Sequence, residues 1–346
     1  VSREAASNDL LSWALAVLGA NASAGGTALS AVAGDASSRC YYRLALPGRA
    51  YIVAEAPPAT EKNEAFLAVR ELLEQAGVRV PSLHGADLER GYLLLEDLGD
   101  HLLLGALDDD SVDDHYRRAC DLLTRLARLS PDELDLPAYD RTLLEEELGR
   151  FGDWFVQGLL GYEPSPDERE LMRALFDRLV DSALEQPRVL VHRDFHSRNL
   201  MLQSRGELAV IDFQDAVTGP VSYDLVSLLR DCYIRWPRER VRSWALAHRD
   251  RLREAGLLEP VDDARFLRWF DWIGLQRHIK VLGTFARLYL RDGKPGYLQD
   301  LPLVIEYVRE ILEDYADREP EFAAFGQWFE HKLLPLAAAQ EWSAAS

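Results

Sequence analysis

Apolar positions change their spacing twice along this chain, and the changes divide it. Residues 7–18 (SNDLLSWALAVL) follow a helical period, with Ser7 or Asn8 placed to cap the first turn. From 28 to 56 the period shortens: ALSAVAG, RCYYRLAL and AYIVAEA alternate or run apolar between glycine-containing turns, which predicts three strands of an antiparallel meander. Residues 60–76 return to a helix closed by Gly77, and GYLLLEDL (91–98) predicts another strand. Beyond Gly99 the pattern is helical over 112–130, 141–160, 167–186, 222–232, 238–255, 262–290 and 302–316, with Tyr116, Cys120, Leu123 and Ala127 on one face of the first. Short apolar runs at 189–191, 199–202 and 208–213 interrupt it, with a turn at Arg205-Gly206. The expected class is therefore α+β: a small β-rich part over 1–98 and a larger, mainly helical part over 99–346 that holds one β-ribbon. The hinge is expected near Leu98-Gly99-Asp100.

Composition narrows the function. At 346 residues, with 48% hydrophobic and 28% charged positions, the chain can build one large or two ordinary domains. No apolar run approaches a membrane span, and the opening segment lacks a basic region and a cleavage site, so neither a membrane partner nor a signal peptide is expected. Three scattered cysteines, Cys40, Cys120 and Cys232, form no CxxC pair and point to a reducing, cytoplasmic setting. With 39 Lys+Arg against 58 Asp+Glu the net charge is −19, which repels nucleic acid and anionic lipid. A phosphate ligand would then need local cations, a metal or aimed N–H groups.

Chemistry concentrates in VHRDFHSRNLMLQSRGELAVIDFQD, 191–215. His192-Arg193-Asp194 is followed five residues after the aspartate by Asn199, and then, past a hairpin, by Asp212. Phosphoryl transfer needs a carboxylate to orient or deprotonate the attacking hydroxyl, and an amide oxygen plus a second carboxylate to hold Mg²⁺ against the phosphates. Placing Asp194 and Asn199 on one loop and Asp212 at the end of the next ribbon would let the three converge.

The segment resembles the aminoglycoside phosphotransferase-like kinases, small-molecule relatives of protein kinases, and the likeness extends over most of the chain. It implies a two-lobed kinase-like fold that uses ATP and Mg²⁺, with Asp194 as the base and Asn199 and Asp212 as metal ligands. His192 and Asp224 would fix the loop, and EDLG (96–99) resembles the family's hinge, where Glu96 C=O and Leu98 N–H would meet adenine. Further segments (SSRCYYRL, EAPP, VPSLHGADLERGYLLLEDLGD and FQDAVTGPVSYDLVSLLRDCYIRWP) are similar to the bacterial anomeric amino-sugar kinases, the N-acetylmuramate/N-acetylglucosamine kinases of cell-wall recycling. The product expected from that likeness is a sugar 1-phosphate, and the protein is expected to be a monomer.

In this family the turn between the first two strands offers donors to phosphate; here it is Gly34-Asp35-Ala36-Ser37-Ser38-Arg39, with Ser37, Ser38 and Arg39 as candidate contacts. The usual strand lysine is missing: Ala54 stands at the matching place and no cation lies within 51–59. Either the register shifts or Arg39, Arg43 or Lys62 replaces it. Sugar contacts are expected from Gln214 and Asp215, from Arg230, Asp231 and Tyr233, and from Gln276, Arg277 and His278. Two other readings stay open: another alcohol kinase of this fold, acting on an aminoglycoside, choline or homoserine, or a nucleotide-binding pseudokinase.

Overall fold

The computed structural model describes residues 8–20, 28–32, 38–130, 132 and 135–344. Contacts group them into two units: residues 1–106 with 198–215, and residues 107–197 with 216–346. The sequence reading cut the chain at 98 and left 198–215 with the helical part. In the structure Leu202 N donates to His101 O at 2.7 Å and Val210 N to Arg79 O at 2.8 Å, which join that ribbon to the first unit.

The first unit opens with α1 (Asn8–Val17), followed by β1 (Leu29–Ala31), β2 (Cys40–Leu46), β3 (Arg49–Glu55), α2 (Asn63–Gln75), β4 (Leu83–Asp87) and β5 (Tyr92–Glu96). The strands form one antiparallel sheet in the order β1-β2-β3-β5-β4. Alternation gives the sheet two different faces. Tyr42, Leu44, Tyr51, Val53, Tyr92 and Leu94 form a core with Leu10, Ala14 and Leu15 of α1. The register sets Tyr41, Ala54 and Leu93 in one row of the opposite face and Arg43, Ile52 and Leu95 in the next. Gly91 (φ +73°) holds the start of β5 against Ala56, whose carbonyl oxygen would lie 2.1 Å from any Cβ there, so the position admits no side chain. Strand β4 was absent from the sequence reading because LHGAD has no apolar alternation; pairing with β5 makes it a strand. The ribbon of β7 (Leu200–Leu202) and β8 (Leu208–Val210) completes the unit, and Phe213 beyond it stacks on Phe66 of α2 with centroids 4.8 Å apart.

The second unit holds α3 (Val112–Leu126), α4 (Arg141–Arg150), α5 (Pro166–Leu184), β6 (Arg188–Val191), β9 (Val217–Pro220), α6 (Tyr223–Leu229), α7 (Arg238–Glu254), α8 (Asp263–Leu290), α9 (Leu301–Tyr315), α10 (Pro320–Trp328) and α11 (Leu334–Ala338). Ser165 and Glu168 form a reciprocal capping box that starts α5. The single helix expected over 141–160 is α4 running into a π-helical segment, Phe151–Leu159. Strand β9 reads as a turn by composition, VTGP, and exists because it pairs with β6. Helix α8 is buried from Trp269 through Gly283, so it is the central element of this unit. At Gly283 a Cβ would lie 2.4 Å from the carbonyl carbon and oxygen of Arg150, so only glycine lets α8 approach the end of α4 this closely. No helix among the described residues is long and apolar enough to cross a membrane.

Candidate active site

The loop leaving β6 is fixed by two carboxylates. His192 N donates to Asp224 Oδ2 at 2.6 Å and Arg193 N to Asp224 Oδ1 at 3.0 Å. Aiming both amides at one acid requires a turn, and Arg193 supplies it at φ +76°, an unfavourable conformation for a side-chain-bearing residue. Burial pushes the Asp224 carboxyl up to about 6, against the pull of His192 and these two N–H groups. Five residues on, Ser197 donates through N, at 2.9 Å, and through Oγ to Asp231 Oδ2. Between the two anchors, Asp194 N donates to His192 Nδ1 at 3.3 Å, and Asp194 O accepts from His196 N at 3.0 Å.

Basic side chains of the second unit act on Asp194. Burial raises its carboxyl, but Lys280, His196, Arg193 and Arg277 outweigh that and hold it down at about 2, so it is ionised at neutral pH. Two of these cations share a buried anion. Glu147 of α4, fully buried, accepts from Arg193, from Tyr139 Oη and from Lys280 Nζ, the last at 3.0 Å. Lys280 Nζ also donates to Tyr223 Oη at 3.1 Å. Burial raises the Glu147 carboxyl too, and Lys280 and Arg193 bring it to about 2. The sequence reading missed both partners. Glu147 hides in a run of three glutamates, and Lys280 follows the polar group Gln276-Arg277-His278 inside a helix otherwise rich in apolar residues.

The first unit holds the other expected site residues. Ile211 N donates to Asn199 O at 3.1 Å, which sets Asn199 beside the start of the Ile211-Asp212-Phe213 segment. Asp212 adopts φ +63°, which an aspartate tolerates better than most residues. Gln214, expected to touch sugar, donates from Nε2 to Asp212 Oδ1 at 2.9 Å. Asp215, also expected there, pairs with Lys62 at 2.8 Å.

Ser37 lies outside the described residues. Ser38 Oγ contacts Thr60 Oγ1 at 2.8 Å and donates to Glu61 Oε1 at 2.5 Å. Arg39 is buried over the Phe66 ring, 4.9 Å from its centroid, and donates to Asn63 Oδ1 at 3.3 Å with Glu61 Oε2 3.6 Å away. Burial raises the Tyr41 phenol, which Arg39 lowers and Asp212 raises, so Arg39, Tyr41 and Asp212 share one neighbourhood. Arg43 is committed elsewhere: Nε meets Asp97 Oδ2 at 2.6 Å and Nη2 meets Asp100 Oδ1 at 2.8 Å. In the expected adenine segment the Glu96 side chain pairs with Arg79 and accepts from Ser82 N at 3.1 Å, and Leu98 O accepts from Gln203 Nε2 at 3.0 Å.

The sugar contacts expected from the helical unit have partners within that unit. Arg230 forms a buried ion pair with Asp271 at 2.7 Å, and its carbonyl meets His278 Nε2 at 3.0 Å. His278 stacks on Tyr307, centroids 4.7 Å apart. Asp231 anchors Ser197 and accepts from Tyr233 N at 3.1 Å, while the Tyr233 ring meets His196 edge-on at 5.4 Å. Arg277 is buried beside Cys232.

Phosphoryl transfer calls for a fixed carboxylate and an amide–carboxylate pair that can hold a metal. Comparison with known proteins supplies the family. The chain is 41% identical over 299 residues to the N-acetylmuramate/N-acetylglucosamine kinase of Pseudomonas putida, covering 86% of both, and 40% identical to that of Neisseria meningitidis, covering 85% of this chain and 89% of that one. In fold it resembles an ADP-bound aminoglycoside phosphotransferase (TM-score 0.58, 12% identity, 88% of this chain and 99% of that one) and the ethanolamine kinase of Plasmodium vivax (TM-score 0.58, 9% identity, 86% and 83%). The profile of the phosphotransferase enzyme family matches residues 28–262, and the chain belongs to that family.

Proposed function

We propose that this protein is an ATP-dependent kinase that phosphorylates the anomeric C1 hydroxyl of N-acetylmuramate and N-acetylglucosamine, with Asp194 as the base. The observation that carries this reading is the charge around Asp194: Lys280, Arg193 and Arg277 all act on its carboxylate and, with His196, outweigh the effect of burial. Such surroundings oppose a cationic aminoglycoside or choline and suit a neutral or anionic sugar. The names of the relatives point the same way.

In the step proposed, the C1 oxygen attacks the γ-phosphorus of ATP, the bond from that phosphorus to the β-bridging oxygen breaks, and ADP leaves with the electron pair. The hydroxyl proton passes to Asp194 and then to solvent. An anomeric hydroxyl is more acidic than an ordinary alcohol, because the ring oxygen withdraws electrons from C1. A carboxylate held at about 2 is a weak base, so it acts best by orienting such a proton. Asn199 and Asp212 supply hard oxygen donors of the kind Mg²⁺ takes alongside phosphate and water, so the donor set fits that ion. Bound there, Mg²⁺ would neutralise charge on the β- and γ-phosphates. Gln214 keeps the Asp212 carboxylate oriented.

The test uses a methyl glycoside of N-acetylglucosamine, blocked at C1 and free at C6. It should not be phosphorylated, and phosphorus NMR of the free-sugar product should show a phosphate coupled to H1. Efficient turnover of the methyl glycoside would overturn the anomeric assignment.

A further inference from the structure

Because α8 is buried on all sides from Trp269 to Gly283, every polar group on that stretch needs a partner inside the second unit or another explanation. Asp271 has Arg230 and, from Tyr315 Oη at 2.9 Å, a second hydrogen bond. His278 has the Arg230 carbonyl, and Lys280 has Glu147 and Tyr223. Gln276 is sealed in, with neither amide atom hydrogen-bonded among the described residues.

Arg277 differs from all of these. It is 3% exposed, so it is nearly but not completely sealed. Its guanidinium makes one hydrogen bond among the described residues, from Nη1 to Cys232 Sγ at 3.3 Å, and has no carboxylate partner there. A thiol is a weak acceptor for a group with five N–H donors. Asp194 acts on Arg277 through space and not through an ion pair, so a ligand with an oxygen acceptor could take up its remaining N–H groups. Its position says which ligand. Arg277 sits one helical turn before Lys280, which shares Glu147 with Arg193, the residue next to Asp194. Arg277 also contributes to holding the Asp194 carboxyl down.

We propose that Arg277 donates its planar N–H groups to the carbonyl oxygen of the acetamido group at C2 of the sugar, and so selects 2-acetamido sugars over plain hexoses. The inference rests on the sugar-kinase reading above. If C1 points at Asp194, the C2 substituent is one carbon away, so the group that reads it must lie beside Asp194. The acetamido group is common to both proposed substrates, whereas the lactyl carboxylate of N-acetylmuramate hangs from C3, one carbon farther. Free glucosamine, a cation, would be repelled by the same guanidinium.

The test is steady-state kinetics of Arg277→Met and Arg277→Lys with N-acetylglucosamine, N-acetylmuramate and glucose, together with thermal melts. For Arg277→Met, kcat/KM should fall roughly 10²-fold for both acetamido sugars, the loss of a charge-assisted hydrogen-bond pair. Its kcat/KM for glucose should fall far less than for the acetamido sugars, its ATP KM should hold, and its Tm should not drop, since no ion pair in contact is broken. Arg277→Lys should recover part of the loss. An equal fall for all three sugars with a lowered Tm would make Arg277 structural and overturn the proposal. A fall confined to N-acetylmuramate would overturn it in favour of carboxylate recognition. Unchanged selectivity in an active variant would overturn the Arg277 role alone, whereas wild-type protein that phosphorylates no acetamido sugar would overturn the sugar reading with it.

Discussion

Lys280 Nζ lies 3.0 Å from Glu147 Oε1, across the contact between α8 and α4 that Gly283 makes possible. This pair sets the charge around Asp194. Glu147 neutralises part of the positive charge that Lys280 and Arg193 bring, and what remains keeps Asp194 ionised.

Replacing Lys280 by methionine should therefore do two things. Leaving Glu147 buried with fewer partners should cost about 3–5 kcal/mol in urea unfolding. In the protein that still folds, the Asp194 carboxyl should rise, so the acid limb of kcat/KM against pH should move to higher pH. A limb that stays in place would remove Lys280 as the source of the depressed value.

Gly283→Ala tests the same contact from the backbone. A Cβ 2.4 Å from the Arg150 backbone forces the helices apart, with an expected loss of about 1–3 kcal/mol. The acid limb should shift as it does in Lys280→Met. Wild-type stability would mean that α8 and α4 do not need this approach.

Asp194→Asn should keep the fold and ATP binding while turnover falls roughly 10²–10⁴-fold. Asp212→Ala should instead raise the Mg²⁺ concentration needed for half-maximal activity. Normal turnover of folded Asp194→Asn protein would take Asp194 out of the mechanism.

The place of the missing strand lysine can be tested on three candidate cations. The register confirms Ala54 between Tyr41 and Leu93, Arg43 is held by Asp97 and Asp100, and Lys62 pairs with Asp215. Arg39, just before β2, has Glu61 3.6 Å away and shares a neighbourhood with Asp212, and it is proposed as the cation that serves phosphate. Arg39→Met should raise the ATP KM roughly tenfold, about one charge-assisted hydrogen bond, and leave the sugar KM unchanged. An unchanged ATP KM would leave the triphosphate to backbone N–H groups and Mg²⁺.

Stability should respond to pH with opposite signs at two places. Asp194 and Glu147, held at about 2, stabilise the fold above the ordinary carboxylate range and lose that contribution as pH falls through about 2. Asp224, raised to about 6, does the reverse: its contribution is full at low pH and is lost as pH rises through about 6. In urea unfolding, the deficit of Asp224→Asn should be larger near pH ~4.5 than near pH ~7. A constant deficit would show that Asp224 does not titrate in that window.

The strands with clean alternation, the helices with apolar stripes and the His192–Asp212 constellation were legible in the sequence, because period and spacing are local properties. Strands β4 and β9 were not, since LHGAD and VTGP become strands only through their partners. Nor were α10 and α11. The partnerships of the charged residues were equally hidden. By type alone Arg230, Arg277 and Lys280 were three cations on helices. Tertiary packing gave Arg230 to Asp271 and Lys280 to Glu147, and left Arg277 beside a thiol. Residue type and spacing along the chain named the candidates for the chemistry. Only the fold decided which charges are satisfied, because burial and pairing depend on side chains far apart along the chain, and these set the state of Asp194.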